Sequence, residues 1–377
     1  MNLNSSTPSN LYLNNPATLY DTYASSGISY ILIVFVGIRW LISIVGCIFN
    51  LLLFWITIND KYCYIISYFD ILTILHFLFR SLNSSCNYLI AIDALFTAIY
   101  QTSNSISMYV VLTGINFINL DICFYLMIYS ILSITMSLCL TFFIGFDRLL
   151  SVLFPITFGM KKSSRLSVYC SIGISTIYAF FILWQCWQIC ITIPKTQVIC
   201  SISDCYQKDV GQLSFRNSLI IIGFSTLNYI FIWILLKYRS DNTLANKKGG
   251  DYTQRIFKSL IVITSMVVAG WMLNAGSRFI MPLLTLNPLQ TFYFSSTLGW
   301  ITNFVMACNA RVLYKFSKDY KIAFNSFFQR GIATIRTNKT RTVPVTVVTN
   351  KVGQSIGNLD LSVNLNKSTN FMPKKAW

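Results

Sequence analysis

The sequence predicts an all-α integral membrane protein: a seven-transmembrane-helix bundle with a short amphipathic helix after the last span. Three observations support this fold class. Apolar residues make up 54% of the chain and charged residues only 11%, with a mean hydropathy of +0.58, whereas a soluble domain carries about a quarter charged residues. Apolar runs long enough to cross a bilayer recur along the chain. The basic residues lie between and after those runs, as membrane orientation requires.

The same composition excludes other classes of protein. A net charge of +17 by itself suggests nucleic acid, but the placement of the basic residues favours membrane lipid, and we expect no nucleic-acid partner. His76 is the single histidine, and the eleven cysteines form no CxxC pair, so we expect no zinc-type metal site. No Ser-His-Asp or HExxH constellation is present, and we predict a non-enzyme without a cofactor.

The predicted spans follow one another with short connections. Their expected bounds are 28–58, 84–108, 119–149, 166–193, 213–236, 257–281 and 289–313. Only five of the 29 Lys and Arg residues fall in outer or outer-half positions, namely Arg39, Lys195, Lys208, Arg216 and Arg278. This asymmetry places the N-terminus outside, by the positive-inside trend.

The two ends of the chain are polar. Residues 1–27 contain no Lys or Arg and lack the charged start and apolar core of a signal peptide, so we expect an extracellular N-terminus. Asn4 begins an Asn-Ser-Ser glycosylation acceptor, which agrees with that side. We expect the membrane-embedded domain to occupy 28–328, and 329–377 to form a disordered cytoplasmic tail.

Residues 59–79 are surplus to a seven-span arrangement. If this apolar segment, which contains Asp70, also crossed the membrane, the basic third loop and the tail would lie outside, against the positive-inside trend. We therefore choose Asp93 as the aspartate of span two. Two explanations of the surplus stay open: a gene-model error over about residues 60–75, or an amphipathic segment lying along the inner leaflet.

One stretch carries a family resemblance. The run from Cys123 to Phe146 has no charge and ends in Asp147-Arg148; the cysteine lies 25 positions before the arginine, and Pro155 lies 7 after it. Charges at the end of such a span are costly and tend to be functional. This pattern resembles the third helix of rhodopsin-like G-protein-coupled receptors. The segment DRLLSVLFPI resembles even more closely the nematode chemoreceptors called serpentine receptor class sx. The resemblance covers about residues 30–328.

The resemblance implies a chemosensory receptor that binds an extracellular small molecule or short peptide and activates a heterotrimeric G protein. It also implies a plasma-membrane location in sensory-neuron cilia. Asp147 and Arg148 would face the G protein. Cys123 would form a disulfide bond with Cys200, in the oxidising outer space, although Cys205 is a competing partner.

Further residues are assigned by the same resemblance. Asp93, Ser137 and Asn309 would hold a sodium ion and water; a polar packing cluster without an ion is the alternative. Asn50 lies four residues after Gly46 on one helix face, and a buried asparagine in a membrane helix needs a polar partner. The resemblance identifies Asn50 as an activation position. Trp271 would be the aromatic that moves on activation.

A transporter or channel without G-protein coupling is the alternative class. A transporter predicts internal repeats with Gly- or Pro-interrupted helices, and none is visible in the sequence. A channel predicts a repeated polar lining, whereas mid-span charges are few. Ser130 stands where amine receptors carry an aspartate, and residues 277–310 contain no lysine for a retinal Schiff base. Biogenic amines and retinal are therefore disfavoured as ligands.

Overall fold

The computed structural model describes residues 20, 23, 27–59, 85–154, 161–242, 265–266, 268–270, 272–274, 276–277, 280–284, 286–317 and 320–329. Two compact units divide the chain, Met1–Arg330 and Gly331–Trp377, and every described residue belongs to the first. The predicted surplus segment beyond Asn59 and the predicted tail beyond 329 lie outside the described residues.

Helices make up nearly all of the described chain. They are α1 (Tyr30–Asn59), α2 (Ser85–Thr102), α3 (Asn104–Leu112), α4 (Leu120–Leu153), α5 (Lys161–Thr192), α6 (Lys208–Asn242) and α7 (Pro288–Phe316). Helical residues also occur between 265 and 280 and over 320–329. The prediction of a helical membrane bundle is therefore confirmed.

Four of the described helices are long and apolar enough to cross a membrane: Tyr30–Ile58, Leu120–Leu153, Leu166–Thr192 and Asp209–Leu235. They correspond to predicted spans one, three, four and five. Their outward faces are apolar, with Ile177 73% and Trp184 59% exposed on α5, as lipid-facing surfaces require. The total of seven spans stays a prediction, because spans two, six and seven do not meet these criteria in the described residues.

Helix α4 lies at the centre of the bundle. In the apolar 18-residue stretch of α4, 67% of the residues are buried inside the protein, compared with 28% for the corresponding stretches of α5 and α6 and 17% for that of α1. It packs on α2, α5 and α6, while α7 packs on α1. Small side chains on α4, including Ser130, Ser133 and Ser137, are buried, and they let neighbouring helices approach closely.

The predicted second span is divided at Ser103. The Ser103 hydroxyl donates a hydrogen bond to the Tyr100 carbonyl at 2.7 Å, and the Ser103 amide donates to the same oxygen at 3.1 Å. The Thr102 hydroxyl likewise bonds the Ile99 carbonyl at 2.7 Å. These local bonds compete with the i to i−4 ladder and tighten the turn. The helix then continues as α3 and ends at Leu112 instead of at the predicted 108.

The outer loop after α5 contains structure that the sequence did not predict. Strand β1 (Ile118–Asn119) pairs antiparallel with β2 (Gln197–Val198), with Ile118 opposite Val198. The Gln197 side-chain amide donates to Asn119 Oδ1 at 2.6 Å. A 3₁₀ helix, Ile202–Cys205, follows. The loop is therefore fixed against the residues that lead into α4.

The short helix expected after the last span is present over residues 320–329. Its start is tied to α7 by the Lys321 amide, which donates to the Ser317 carbonyl at 2.9 Å. Phe324 is buried and meets Tyr314 edge to face at 5.6 Å, whereas Ile322 and Phe328 are exposed. One face thus packs on the bundle, and apolar side chains remain outside, as in a helix at a membrane surface.

Candidate functional site

The predicted disulfide bond between Cys123 and Cys200 is present, with a Cα–Cα distance of 5.3 Å. Cys205, the competing partner, is a free cysteine and only 3% exposed. It packs in the same apolar cluster as Cys186 and Cys190. Burial raises the pKa of the Cys205 thiol, so it stays protonated and unreactive at neutral pH.

Several contacts hold the disulfide-bearing loop over the outer ends of α3 and α4. The Ser107 hydroxyl donates to the Cys200 carbonyl at 2.5 Å, and the Leu120 amide donates to the Thr196 carbonyl at 2.9 Å. Cys200 has a φ of +65°, a left-handed conformation that is costly for a residue with a side chain. The first of these bonds holds the Cys200 carbonyl, and the second holds the loop four residues before it.

Two cavities open beneath this loop and share Ser203. The central cavity, of about 70 Å³, is lined by Ile134, Thr135 and Leu138 of α4, together with residues of α5, α6 and the loop. The α1–α7 cavity, of about 250 Å³, lies between α1, α3, α7 and the loop. The α1–α7 cavity is the larger of the two and is close to the lower end of the range of small-molecule sites, about 300–1,000 Å³.

Asp93 and Ser137 meet in the middle of the bundle. The Ser137 hydroxyl donates a hydrogen bond of 2.6 Å to Asp93 Oδ1, and it lies 3.0 Å from the Thr97 hydroxyl. Asp93 and Thr97 lie one helical turn apart on α2, so both face α4. The structure thus brings together two of the three residues predicted to hold sodium.

Asn309, the third predicted sodium ligand, makes no hydrogen bond to Asp93 or Ser137 among the described residues. The Thr97 hydroxyl instead lies 3.0 Å from Ser137 Oγ, and one carboxylate with two hydroxyls is a hard oxygen set of the kind that alkali and alkaline-earth ions prefer. Asp93, Ser137 and Thr97 would hold the ion there. No cluster of three or more His, Cys, Asp or Glu exists in the described part of the chain.

The side-chain amide nitrogen of Asn50 has the polar partners that a buried donor requires. The residue is 0% exposed, and its amide donates to the carbonyls of Gly46 at 2.9 Å and Met306 at 3.2 Å, and to Gln101 Oε1 at 3.3 Å. A Cβ atom at residue 46 would lie 2.8 Å from Gln101 Cδ. Glycine at 46 therefore makes room for Gln101, and Asn50 ties α1 to α2 and α7.

A second buried polar cluster was not identified from the sequence. The Asn104 amide donates to Ser43 Oγ at 2.8 Å and to Asn303 Oδ1 at 3.4 Å, and Ser43 Oγ donates to Asn303 Oδ1 at 3.2 Å. All three residues are at most 3% exposed. Two asparagines within apolar runs, Asn104 and Asn303, were the sequence feature that could have predicted this cluster. Asn104 also lines the α1–α7 cavity.

The inner end of α4 carries Asp147 and Arg148. Asp147 is 3% exposed. The Arg148 side chain forms a hydrogen bond with Cys86 of α2 and lies within electrostatic range of Tyr229 of α6. Ser151 Oγ donates to the Asp147 carbonyl at 2.7 Å. Arg148 is therefore hydrogen-bonded to α2 and within electrostatic range of α6, at the level predicted for G-protein coupling.

Sequence reasoning did not find Cys86 or Tyr229 as neighbours of Arg148. The available signal was a tyrosine within the apolar run of α6. Tyr229 also fits closely against α4, since a Cβ atom at Gly145 would lie 2.9 Å from Tyr229 Cε2. Glycine at 145 thus sets the distance between α4 and α6 near Arg148.

Two predicted residues, Trp271 and Asn4, lie outside the described residues. Gly270, which precedes Trp271, is described and buried, and a Cβ atom there would lie 3.1 Å from Val305 of α7. The helical residues around 270 therefore pack closely on α7, at the level where the predicted activation aromatic would stand.

Comparison with known proteins identifies the family. The family model described as "Serpentine type 7TM GPCR chemoreceptor Srsx" matches residues 70–328, which is more than half of the chain and runs from before α2 to the end of the last helix. The match begins later than the resemblance over residues 30–328, so α1 lies outside it. No curated protein matches the chain. The chain is thus a multi-pass membrane protein and belongs to the Srsx family of serpentine G-protein-coupled chemoreceptors.

Proposed function

We propose that this chain is a plasma-membrane receptor that binds an extracellular small molecule or short peptide and activates a heterotrimeric G protein. Its N-terminus lies outside the cell. Asp147 and Arg148 form the G-protein-coupling site, and sensory-neuron cilia are its expected location.

One observation carries this proposal: α4 is a single unbroken helix from Leu120 to Leu153 that joins the outer cavities to Arg148. Thr135 and Leu138 line the central cavity on this helix. Ten residues beyond Leu138, Arg148 is hydrogen-bonded to Cys86 of α2 and lies within electrostatic range of Tyr229 of α6. A ligand that changes the packing around Leu138 can therefore change the position of Arg148 along one rigid element, which is the requirement for a ligand-biased two-state switch.

The test is nucleotide exchange by purified heterotrimeric G proteins of several subtypes, with the full chain reconstituted in lipid vesicles. A chemical library of small molecules and short peptides is added from the extracellular side. The proposal predicts that at least one compound accelerates exchange on at least one subtype. A receptor that binds library compounds yet accelerates exchange on none of the subtypes contradicts it.

The orientation is tested separately with epitope tags at the two ends of the chain. The positive-inside distribution predicts that antibody reaches the N-terminal tag on intact cells and the C-terminal tag only after permeabilisation. A C-terminal tag that is accessible on intact cells contradicts the proposed topology, because the basic inner loops would then face outward.

A further inference from the structure

Arg39 is a cation within the outer half of α1 that points into the bundle. It lines the α1–α7 cavity, and its guanidinium reaches α7: a Cβ atom at Gly299 would lie 3.6 Å from Arg39 Cζ. The guanidinium therefore lies beside the α7 backbone at Gly299. A snorkelling arginine would instead extend along the lipid face towards water.

The Arg39 guanidinium has no anionic partner within the described part of the chain. Its Nε is buried and makes no hydrogen bond there. Asp204 lines the same cavity, and its Oδ2 accepts the Ser201 amide at 2.8 Å and caps the 3₁₀ helix. A partly buried guanidinium without an adjacent anion is less favourable than a paired one, and binding an anion offsets part of that cost.

The rest of the lining suits a carboxylate on a small apolar body. Six hydroxyl side chains line the cavity: Ser107, Ser201, Ser203, Thr291, Ser295 and Ser296. Hydroxyls donate to carboxylate oxygens, and a guanidinium binds a carboxylate through two parallel hydrogen bonds. Phe35 and Phe292 provide apolar surface in the same cavity. The negative charge of Asp204 disfavours a ligand with two anionic groups.

We propose that the α1–α7 cavity binds a small monocarboxylate, whose carboxylate pairs with Arg39 and whose apolar part packs against Phe35 and Phe292. The inference rests on the proposed receptor function, since it names the chemical class of the ligand. The cavity floor offers a route for the signal. Asn104 lines the cavity and bonds Ser43 and Asn303, so a ligand held at Arg39 lies beside a cluster that joins α1, α3 and α7.

The experiment measures the thermal unfolding of the detergent-purified full chain with straight-chain carboxylates from acetate to decanoate. The matching amides and amines are measured in parallel. We expect at least one acid to raise the Tm in a saturable manner, and its amide to bind about tenfold more weakly or worse, because a charge-assisted pair is lost.

Three variants assign the effect to Arg39. Arg39→Gln is expected to weaken acid binding by about tenfold or more, while Arg39→Lys retains the charge and part of the affinity. The matched control is Arg216→Gln, since Arg216 is an exposed arginine at the outer side of α6, and binding should match that of the unmodified chain. If Arg39→Gln fails to fold, the comparison of acid with amide and the Arg39→Lys affinity still decide the question.

Several outcomes would overturn the inference. They are equal affinity for acid and amide, no Tm change with any acid, tighter binding of an amine than of its acid, or undiminished binding by a folded Arg39→Gln variant. The proposed function fails in a different way. If an acid binds through Arg39 but accelerates nucleotide exchange on no G protein, the result contradicts the receptor function and supports the carboxylate site.

Discussion

Ser137 of α4 donates a hydrogen bond of 2.6 Å to Asp93 of α2, and this bond joins two neighbouring helices in the middle of the membrane. A carboxylate within a bilayer is expensive unless it is paired or protonated. The Thr97 hydroxyl lies 3.0 Å from Ser137 Oγ, so the carboxylate stands among oxygen atoms. The arrangement can hold either a proton or a small cation.

Replacement of Asp93 by asparagine tests the cation, because the amide keeps an oxygen for the Ser137 hydroxyl but removes the charge. The sodium site predicts that sodium chloride raises the Tm of the purified unmodified chain relative to choline chloride at equal ionic strength, and that Asp93→Asn abolishes the difference. An Asn309→Ala control should keep it, since Asn309 makes no hydrogen bond to the site among the described residues. If Asp93→Asn and the unmodified chain show the same Tm difference between the two salts, the result contradicts a sodium site and supports a polar cluster without an ion.

The cysteine pairing predicts a clear contrast. Cys123→Ser and Cys200→Ser each remove the disulfide bond and should lower surface expression, because loss of such a bond costs about 2–5 kcal/mol. Cys205→Ser replaces a buried free thiol and should retain the disulfide and most of the surface protein. Surface biotinylation and thiol counting on the three variants provide the measurement. A loss for Cys205→Ser as large as for Cys200→Ser speaks against the pairing.

The close approach of α4 and α6 predicts that Gly145 tolerates no side chain. In Gly145→Ala the new methyl would meet Tyr229 Cε2 at 2.9 Å, and such overpacking costs about 1–3 kcal/mol. At Gly173 of α5 and Gly223 of α6 an added methyl would have nothing within 4 Å, so alanine there should be neutral or stabilising. Thermal unfolding of the three variants in detergent gives the comparison. A Gly145→Ala variant as stable as Gly223→Ala refutes the proposed contact.

The cluster of Ser43, Asn104 and Asn303 predicts a structural role for Asn303. Asn303→Ala removes an acceptor shared by two buried donors, which keep other acceptors in the Arg39 and Gln101 carbonyls, so we expect a loss of about 0.5–1.5 kcal/mol. Asn309→Ala in the same helix should change the free energy of unfolding by about 0.5 kcal/mol or less. Chemical or thermal unfolding of both variants distinguishes them. Equal losses would show that the cluster does not stabilise the bundle.

The parts of the fold that the sequence predicts are those set by local pattern. Apolar length and the distribution of basic residues predict α1, α4, α5 and α6, because burial in lipid acts on each segment separately. The family resemblance adds Cys123, Cys200 and the position of Arg148, since those residues occur at fixed spacing in one helix and its neighbouring loop.

Long-range contacts are what the sequence does not reveal. The division of the second span at Ser103 depends on hydroxyl and amide bonds to the preceding turn, and many serines within helices make such bonds without a break. The pairing of Asn104 with Asn303 spans 199 positions. Arg39 lies beside Gly299 of another helix, whereas from the sequence alone a lone arginine in the outer half of a span is equally consistent with a membrane anchor.

The most direct test of the whole account is G-protein activation by the Arg148→Ala variant at matched surface expression, using an agonist from the library screen. Arg311→Ala is the control, since Arg311 is an exposed cation near the inner end of α7. The account predicts that Arg148→Ala binds the agonist but loses most of the evoked nucleotide exchange, while Arg311→Ala responds as the unmodified chain does. Full activation by Arg148→Ala would contradict the assignment of α4 as the element that joins the outer cavities to the G protein.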